Sequence, residues 1–172
     1  MSQLENGLNH LVVPRFKQRF TLVCPPLHSL YEILDATKVC DAVIFLLCPH
    51  TGMSARGELV LSSVLAQSLP TEPLLVLGNT DEIPAKKLTD VKRLLLKTLD
   101  RLLPAEKIHT VENAGDAVNL LRTLGSQKRK RNVLRERRAH LLAERVEFTP
   151  HQADPSQGTL QISGNYFGDL RT

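Results

Sequence analysis

The sequence predicts an α/β fold built around a parallel sheet. Two continuous apolar runs of strand length, AVIFLLC at 42–48 and LLVLG at 74–78, have no alternating polar face. Strands that are apolar on both faces are typical of parallel sheets covered by helices on both sides. The segment 85–102 places Leu and Val on one helical face and Lys and Arg mostly off it. From residue 42 the chain therefore alternates strand and helix, which favours right-handed crossovers within one sheet.

The remaining elements follow from the same periodicities. Apolar residues near helical spacing predict helices, and short runs rich in Val, Thr and Phe predict strands. Ser54 can cap the second helix and Gly125 can end the last one. In chain order we expect strands at 10–14 and 19–25, helices at 29–41 and 54–68, a strand at 107–111 and a helix at 113–125.

The alternation of strand and helix breaks in the last part of the chain. Strand-like sequence occurs in HLLAERVEF at 140–148 and in TLQISGNYFG at 159–168, the latter around a Gly-Asn turn. The turn-rich TPHQADPSQG separates them. This region predicts the opening of a β domain with too few strands to bury a core alone. We therefore expect the chain to be a fragment or a shortened product.

The composition argues against several classes of protein. No stretch reaches the roughly 18 apolar residues of a membrane span, and MSQLENGLNH lacks the features of a secretory signal. The cysteines are Cys24, Cys40 and Cys48, an odd number with no C-x-x-C, which predicts reduced thiols and no metal site. We expect no cofactor, no membrane and no small-molecule substrate.

One segment does fit the spacing of a phosphate-binding loop, but its chemistry does not. GMSARGEL at 52–59 follows a predicted strand and opens a predicted helix. A phosphate loop then needs Lys to reach the phosphates and Ser or Thr to hold Mg²⁺. Glu58 and Leu59 occupy those two places, and Glu58 would repel phosphate. We interpret the segment as an ordinary loop and first helical turn.

Two other stretches resemble nucleotide-site motifs of translational GTPases. LVCPPLHSL at 22–30 is similar to their Asp-x-Pro-Gly-His, with Cys24 for Asp, Leu27 for Gly and His28 for His. A thiol is a poor Mg²⁺ ligand, and Leu27 is bulky where Gly lets the backbone approach. LLVLGNTD ends like the guanine-reading Asn-Lys-x-Asp: Asp81 keeps its place, whereas Gly78 and Asn79 replace Asn and Lys. We favour the remnant of a nucleotide site over a working guanine site or an unrelated turn.

The order of these segments resembles the GTPase-like ribosome-assembly factors. The resemblance rests on EILDATKVCDAVIFLL, LAQSLPTEPLLVL, RERRAHLLAERVEF and GTLQISG, and covers roughly residues 10 to 168. Within this group the chain looks most like the pre-rRNA-processing proteins of the twenty-S rRNA accumulation family, and less like their larger Bms-type relatives.

The resemblance implies a fold and a function. It implies a degenerate translational-GTPase-like, P-loop-type α/β domain at 1–138, without its first strand and phosphate loop, followed by the start of a β-barrel domain at 139–172. Members of this family lack the residues for hydrolysis and bind the precursor of the small (40S) subunit, first in the nucleolus and later in the cytoplasm. We therefore expect a non-catalytic factor of late pre-rRNA maturation, monomeric within a ribonucleoprotein that holds pre-rRNA and ribosomal proteins.

The net charge of +4 comes from one segment. Residues 122–145 hold nine Lys or Arg and two Glu, a local charge of +7. Arginine suits phosphate through its planar donor fork, and the absence of interleaved aromatic residues favours contact with the RNA backbone over base reading. A nuclear-localisation signal and a solvated linker remain alternatives. The candidate RNA-binding residues are Lys128, Arg129, Lys130, Arg131, Arg135, Arg137 and Arg138.

Two rival functions also remain open. The first is an active GTPase of ribosome assembly whose phosphate loop lies in sequence outside this chain. Cys24 and Leu27 argue against it, because neither suits the Mg²⁺ and γ-phosphate chemistry of such a site. The second is a general RNA-binding module that shows no preference for pre-ribosomes.

Overall fold

A computed structural model describes residues 2–3, 8–80, 83–103, 107–132, 137–152 and 154–168. The chain divides into two compact units, one at Leu27–Asn132 and the other formed by residues 1–26 with 133–172. The N-terminal strands thus group with the C-terminal ones, and the domain boundary predicted at residue 138 stays a prediction.

The unit at Leu27–Asn132 has the predicted α/β architecture. Its strands Ile44–Leu47 (β4), Leu74–Leu77 (β5) and Ile108–Thr110 (β6) form a parallel sheet in that order, and the described residues of the unit hold four helices. Leu47 pairs with Leu77 across β4 and β5, and Leu77 pairs with Thr110 across β5 and β6. The elements are α1 at Leu30–Val39, β4 at Ile44–Leu47, α2 at Ala55–Ala66, β5 at Leu74–Leu77, α3 at Ala85–Leu99, β6 at Ile108–Thr110 and α4 at Ala114–Ser126.

The core of this unit lies between the sheet and its helices. The side chains that fill it are aliphatic, as expected for a sequence with only 4% aromatic residues. Burial of such a side chain contributes about 1.5–3 kcal/mol relative to leaving it in water. The buried cluster consists of Leu47, Leu61, Leu75, Leu77, Leu95, Leu99 and Ile108.

Short polar side chains start three of the four helices. The side chains of Ser29, Ser54 and Asn113 accept hydrogen bonds from backbone N–H groups three residues further on, which confirms Ser54 as a cap. Gly125, in contrast, does not end α4. It lies inside the last helical turn, which continues to Ser126, and its φ is not positive.

β4 is an edge strand of this sheet, although its sequence predicts a central one. Among the described residues β4 pairs with β5 alone. The β5 side chains Leu75, Val76 and Leu77 are all buried, whereas Leu46 on β4 is 76% exposed. The apolar run at 42–48 therefore correctly predicts a strand of the parallel sheet. It wrongly predicts that both faces of this strand are buried.

The second unit holds two antiparallel sheets. β1 at Ser2–Gln3, β2 at Leu8–Val13 and β3 at Gln18–Val23 form the first, in that order. β2 and β3 confirm the two predicted N-terminal strands. They are joined by a 3₁₀ turn at Pro14–Phe16, and Lys17 closes it with a left-handed φ of 53°.

The second sheet is a long hairpin of β7 at His140–Pro150 and β8 at Gly158–Phe167. Its turn lies within the predicted turn-rich stretch, but the Gly-Asn turn predicted inside β8 is wrong. Gly164 and Asn165 continue the strand and pair with Ala143 and Leu142. The described residues show a two-stranded ladder here, and the β-barrel stays a prediction.

A β-bulge in β7 keeps the apolar residues of the hairpin on one face. The register shifts between Ala143 and Arg145, which leaves Glu144 as the extra residue. Its carboxylate accepts a hydrogen bond from Asn165 Nδ2 at 2.6 Å. Because of the shift, odd-numbered residues before the bulge share a face with even-numbered residues after it. Exposed apolar side chains line this face: Leu141, Val146, Phe148, Leu160, Ile162 and Tyr166.

The described residues hold neither a candidate membrane helix nor a cluster of metal-ligating side chains. None of the helices in these ranges combines the length and apolar character that a bilayer crossing needs. In the same ranges, His, Cys, Asp and Glu side chains do not gather into a group of three or more that could hold a metal ion.

Candidate functional site: nucleotide-type loops and a basic strap

The loop after β5, where a guanine-reading motif would lie, is tied to the loop after β6. The Thr80 hydroxyl donates a hydrogen bond to Glu112 Oε1 at 3.4 Å, and Thr80 is only 5% exposed. Asn79 adopts a left-handed φ of 51°, a conformation that Asn tolerates better than most residues. Asp81, predicted as the surviving guanine-reading residue, lies outside the described residues.

Gly78 leaves open space where the family motif would carry a side chain. A Cβ placed there would have no heavy atom within 4 Å. The backbone N–H of Gly78 donates to the Leu47 carbonyl at 3.0 Å, which fixes the start of the loop against β4. The glycine is therefore not required for packing.

Leu27 and His28 occupy the turn before α1. The Leu27 carbonyl accepts a hydrogen bond from Arg56 Nε at 2.9 Å, while its side chain is 78% exposed. His28 is also exposed. Cys24, the third residue of this predicted motif, belongs to the other compact unit and is exposed there.

The loop at 52–59 uses its polar groups to start α2. Ser54 Oγ accepts a hydrogen bond from the Gly57 N–H at 3.1 Å, and the Ser54 carbonyl accepts one from the Glu58 N–H at 2.9 Å. Glu58 lies in the first turn, where its charge is favourable beside the positive helix end. The segment is a capped helix start, as the sequence predicts.

A basic strap, which we define as residues 127–132, follows α4. Lys130 Nζ lies 2.8 Å from Glu72 Oε1, and Arg129 Nη2 lies 3.4 Å from Asp41 Oδ2. The Gln127 side-chain amide donates to the Glu72 carbonyl at 2.9 Å, and Asn132 Nδ2 donates to the Ser68 carbonyl. The strap is therefore fixed on the segment that leads into β5.

The ion pairs of the strap are weak. All four paired side chains are at least half exposed, and exposed pairs typically contribute about 0–1 kcal/mol. Lys130 lowers the pKa of the Glu72 carboxyl through its hydrogen bond and its charge. The cations of the strap, including exposed Lys128 and Arg131, lie on the surface of the unit.

The predicted set of seven basic residues is divided between the two units. Lys128, Arg129, Lys130 and Arg131 lie on the strap, whereas Arg137 and Arg138 are exposed in the other unit. Arg135 lies outside the described residues. The sequence signal also missed the carboxylates that pair with the strap, because Asp41 and Glu72 are far from it along the chain.

Comparison with known proteins now decides the family. Residues 1–126 match the sequence profile described as "Tsr1, G-like domain". The chain belongs to the Tsr1 G-like domain family. This confirms the resemblance to GTPase-like ribosome-assembly factors, together with the parallel α/β sheet that such a G-like domain contains.

Curated relatives of the Tsr1 family extend over most of this chain. A "Pre-rRNA-processing protein TSR1 homolog" from Homo sapiens is 36% identical over 165 residues, which is 95% of this chain and 20% of the relative. The Drosophila melanogaster homolog of that name is 36% identical over 169 residues, with 92% and 20% covered. The "Ribosome biogenesis protein tsr1" of Schizosaccharomyces pombe is 25% identical over 153 residues, with 88% and 18% covered. The chain thus spans about a fifth of the length of these Tsr1 relatives.

Proposed function

We propose that this chain acts in ribosome biogenesis as a non-catalytic factor that binds the precursor of the small subunit and supports pre-rRNA processing. The observation that carries the proposal is membership in the Tsr1 G-like family, whose curated relatives are named for pre-rRNA processing and ribosome biogenesis. It acts in the nucleolus and nucleus, and on late particles in the cytoplasm. Its partners are precursor rRNA and ribosomal proteins.

The geometry of the nucleotide-type loops supports a non-catalytic role. The loop at 52–59 uses its N–H groups to cap α2 and carries Glu58 where a phosphate loop needs Lys. Gly78 lacks the side chain that Asn supplies in the guanine-reading motif. Leu27 stands where the Asp-x-Pro-Gly-His motif has glycine. Among the described residues, the polar groups of these loops therefore bond to other groups of the protein itself. This supports the interpretation of the loops as the remnant of a nucleotide site.

The basic strap supports contact with an RNA backbone. Its cations are exposed, and its carboxylate partners are weak competitors because both ion pairs lie in water. Hydrogen bonds between a cationic side chain and a phosphate are stronger than those between neutral groups. A structured RNA can therefore replace Asp41 and Glu72 as the partner of Arg129 and Lys130.

Co-sedimentation with pre-small-subunit particles tests this function. We expect the double variant Lys128→Ala/Arg131→Ala to co-sediment less than the unmodified chain. The control Lys86→Ala/Lys87→Ala removes the same charge from an exposed part of α3. If the unmodified chain does not co-sediment, the proposed function fails. If it does and the two variants match it, the strap is not the contact.

A titration with fluorescent GDP and GTP separates this function from that of an active GTPase. With Mg²⁺ present we expect no saturation at about 1 mM, which corresponds to a binding free energy weaker than about −4 kcal/mol. Micromolar binding that Asp81→Ala abolishes would instead establish a working guanine site. A third outcome, equal affinity for particles and for any duplex RNA, would favour a general RNA-binding module.

A further inference from the structure

A polar cleft of about 230 Å³ lies between α3, β6 and α4, apart from the basic strap. Lys92 comes from α3, Lys107 precedes β6, and His109 lies within β6. The other side chains with donor groups are Thr110 of β6 and Asn119 and Thr123 of α4. The cleft thus gathers nitrogen and hydroxyl donors from three separate elements.

The charges of the cleft are positive and partly fixed in place. Lys92 Nζ donates to the Thr110 hydroxyl at 3.4 Å, which holds this cation over the end of β6. Partial burial lowers the pKa of His109, and the charges of Lys107 and Lys92 lower it further. The two lysines therefore create a positive potential at His109, which disfavours a third cation and would favour an anion.

Among the lining residues that the structure describes, the carboxylate of Asp116 is already engaged. Asp116 Oδ2 accepts a hydrogen bond from the Glu112 backbone N–H at 3.2 Å, while the Asp116 N–H donates to Asn113 Oδ1 at 3.0 Å. This pair of bonds caps the start of α4, where a negative charge is stabilised by the helix dipole. Asp116 therefore serves the helix end and offsets only part of the positive charge from the two lysines.

We propose that the cleft formed by Lys92, Lys107 and His109 binds a phosphodiester of the RNA backbone. The inference rests on the proposed function and adds to it a second contact point on the same compact unit. The Thr110 hydroxyl, which accepts from Lys92, and the Asn119 side-chain amide can donate to the remaining phosphate oxygens, whereas the Thr123 hydroxyl already donates to the Asn119 carbonyl. The described lining side chains include no Phe, Tyr or Trp, which favours contact with the backbone over base stacking.

The surface around the cleft favours an extended polyanion over a free phosphate ion. The same helix, α3, carries further exposed cations, which add to the positive potential that attracts a polyanion without lining the cleft. Each phosphate that a protein neutralises releases counterions, so several such contacts give a steep dependence on salt. The exposed cations of this helix outside the cleft are Lys86, Lys87, Arg93 and Lys97.

Fluorescence anisotropy with a labelled RNA hairpin tests the cleft. We expect Lys92→Ala/Lys107→Ala to weaken binding about tenfold or more and to reduce the slope of log K against log salt by one to two. Lys86→Ala/Lys87→Ala removes the same charge from the same helix and should weaken binding less than about threefold. Lys92→Arg/Lys107→Arg keeps the charge and should retain binding. Equal losses in both alanine variants, or no loss in either, would overturn the proposal.

NMR titration of the His109 imidazole tests directly whether a bound phosphate lies beside this residue. Alanine variants that only damaged the fold would not raise the His109 pKa in the presence of RNA. A phosphodiester does not titrate between pH 5 and 8, so its negative charge should raise the His109 pKa and binding should tighten as pH falls. The groups facing His109 are Lys92, Lys107 and Asp116. An unchanged His109 pKa in the RNA-saturated chain would exclude this cleft.

The two proposals can fail separately. Suppose that the cleft variant loses hairpin binding but the unmodified chain does not co-sediment with pre-small-subunit particles. The cleft is then an RNA site, and the ribosomal function is rejected. Co-sedimentation that persists equally in the cleft variant and its lysine control would retain the function and reject the cleft.

Discussion

Thr80 and Glu112 join the loops that follow the neighbouring strands β5 and β6. Thr80 is buried, and its hydroxyl donates to the Glu112 carboxylate at 3.4 Å. Thr80→Val keeps the shape and removes the donor, so we expect a loss of about 0.5–1.5 kcal/mol in the free energy of unfolding. Urea denaturation followed by circular dichroism measures it. Glu112→Gln keeps an acceptor oxygen and should cost less, and equal losses in the two variants would contradict the assigned role of this bond.

Two glycines differ sharply in the space around them. At Gly78 an added Cβ meets nothing within 4 Å, so Gly78→Ala should change the free energy of unfolding by less than about 0.5 kcal/mol. At Gly164 it would lie 2.0 Å from the Leu142 carbonyl oxygen, and the backbone must move. Hydrogen exchange should show lost protection of the β7 and β8 amides in Gly164→Ala and none in Gly78→Ala. Full protection in Gly164→Ala would show that the strands are further apart.

His109 should make the stability of the parallel-sheet unit depend on pH. Its pKa in the folded chain lies below the ordinary value of 6.5, because of burial and then of Lys107 and Lys92. The unfolded chain therefore takes up the proton first as pH falls. The contribution of His109 to the free energy of unfolding should be constant above about pH 7 and decrease as pH falls through 6.5 and below.

Urea denaturation at several pH values checks the contribution of His109. His109→Gln should remove this part of the pH dependence. Lys92→Ala/Lys107→Ala should reduce it, because burial alone remains as a cause of the lowered pKa. A His109→Gln profile identical to that of the unmodified chain would show that other groups control the dependence.

The carboxylates that hold the basic strap should weaken RNA binding. Asp41→Asn/Glu72→Gln removes the partners of Arg129 and Lys130. We expect tighter binding of an RNA hairpin and a salt slope steeper by up to about two, since two more cations can neutralise phosphates. Fluorescence anisotropy over a range of salt concentrations measures both quantities.

A matched control separates this local effect from net charge. Glu32→Gln/Asp35→Asn removes the same two negative charges from the exposed face of α1. It should tighten binding less and leave the salt slope nearly unchanged. If it equals the strap variant, the gain reflects only the total charge of the chain.

Local patterns in the sequence predicted the parallel sheet and its helices. They could not predict contacts between segments that are far apart along the chain. Apolar periodicity identified β4, β5 and α3, and the Ser54 cap was readable from residue type alone. The Gly164–Asn165 pair was misread as a turn because these residue types favour turns, whereas the glycine is needed where two strands approach closely. The cleft around His109 was missed because its residues come from three elements, and no short motif connects them.

The bulge at Glu144 has an evolutionary consequence. Because Ala143 and Arg145 already pair with adjacent residues of β8, Glu144 is the one position of β7 that the ladder does not use. Descendants of this sequence can lose one codon at the bulge and keep the facing of every other side chain, whereas loss of a codon away from the bulge would turn the apolar side chains between the deletion and the bulge to the opposite face. Length variation within β7 should therefore concentrate at the bulge.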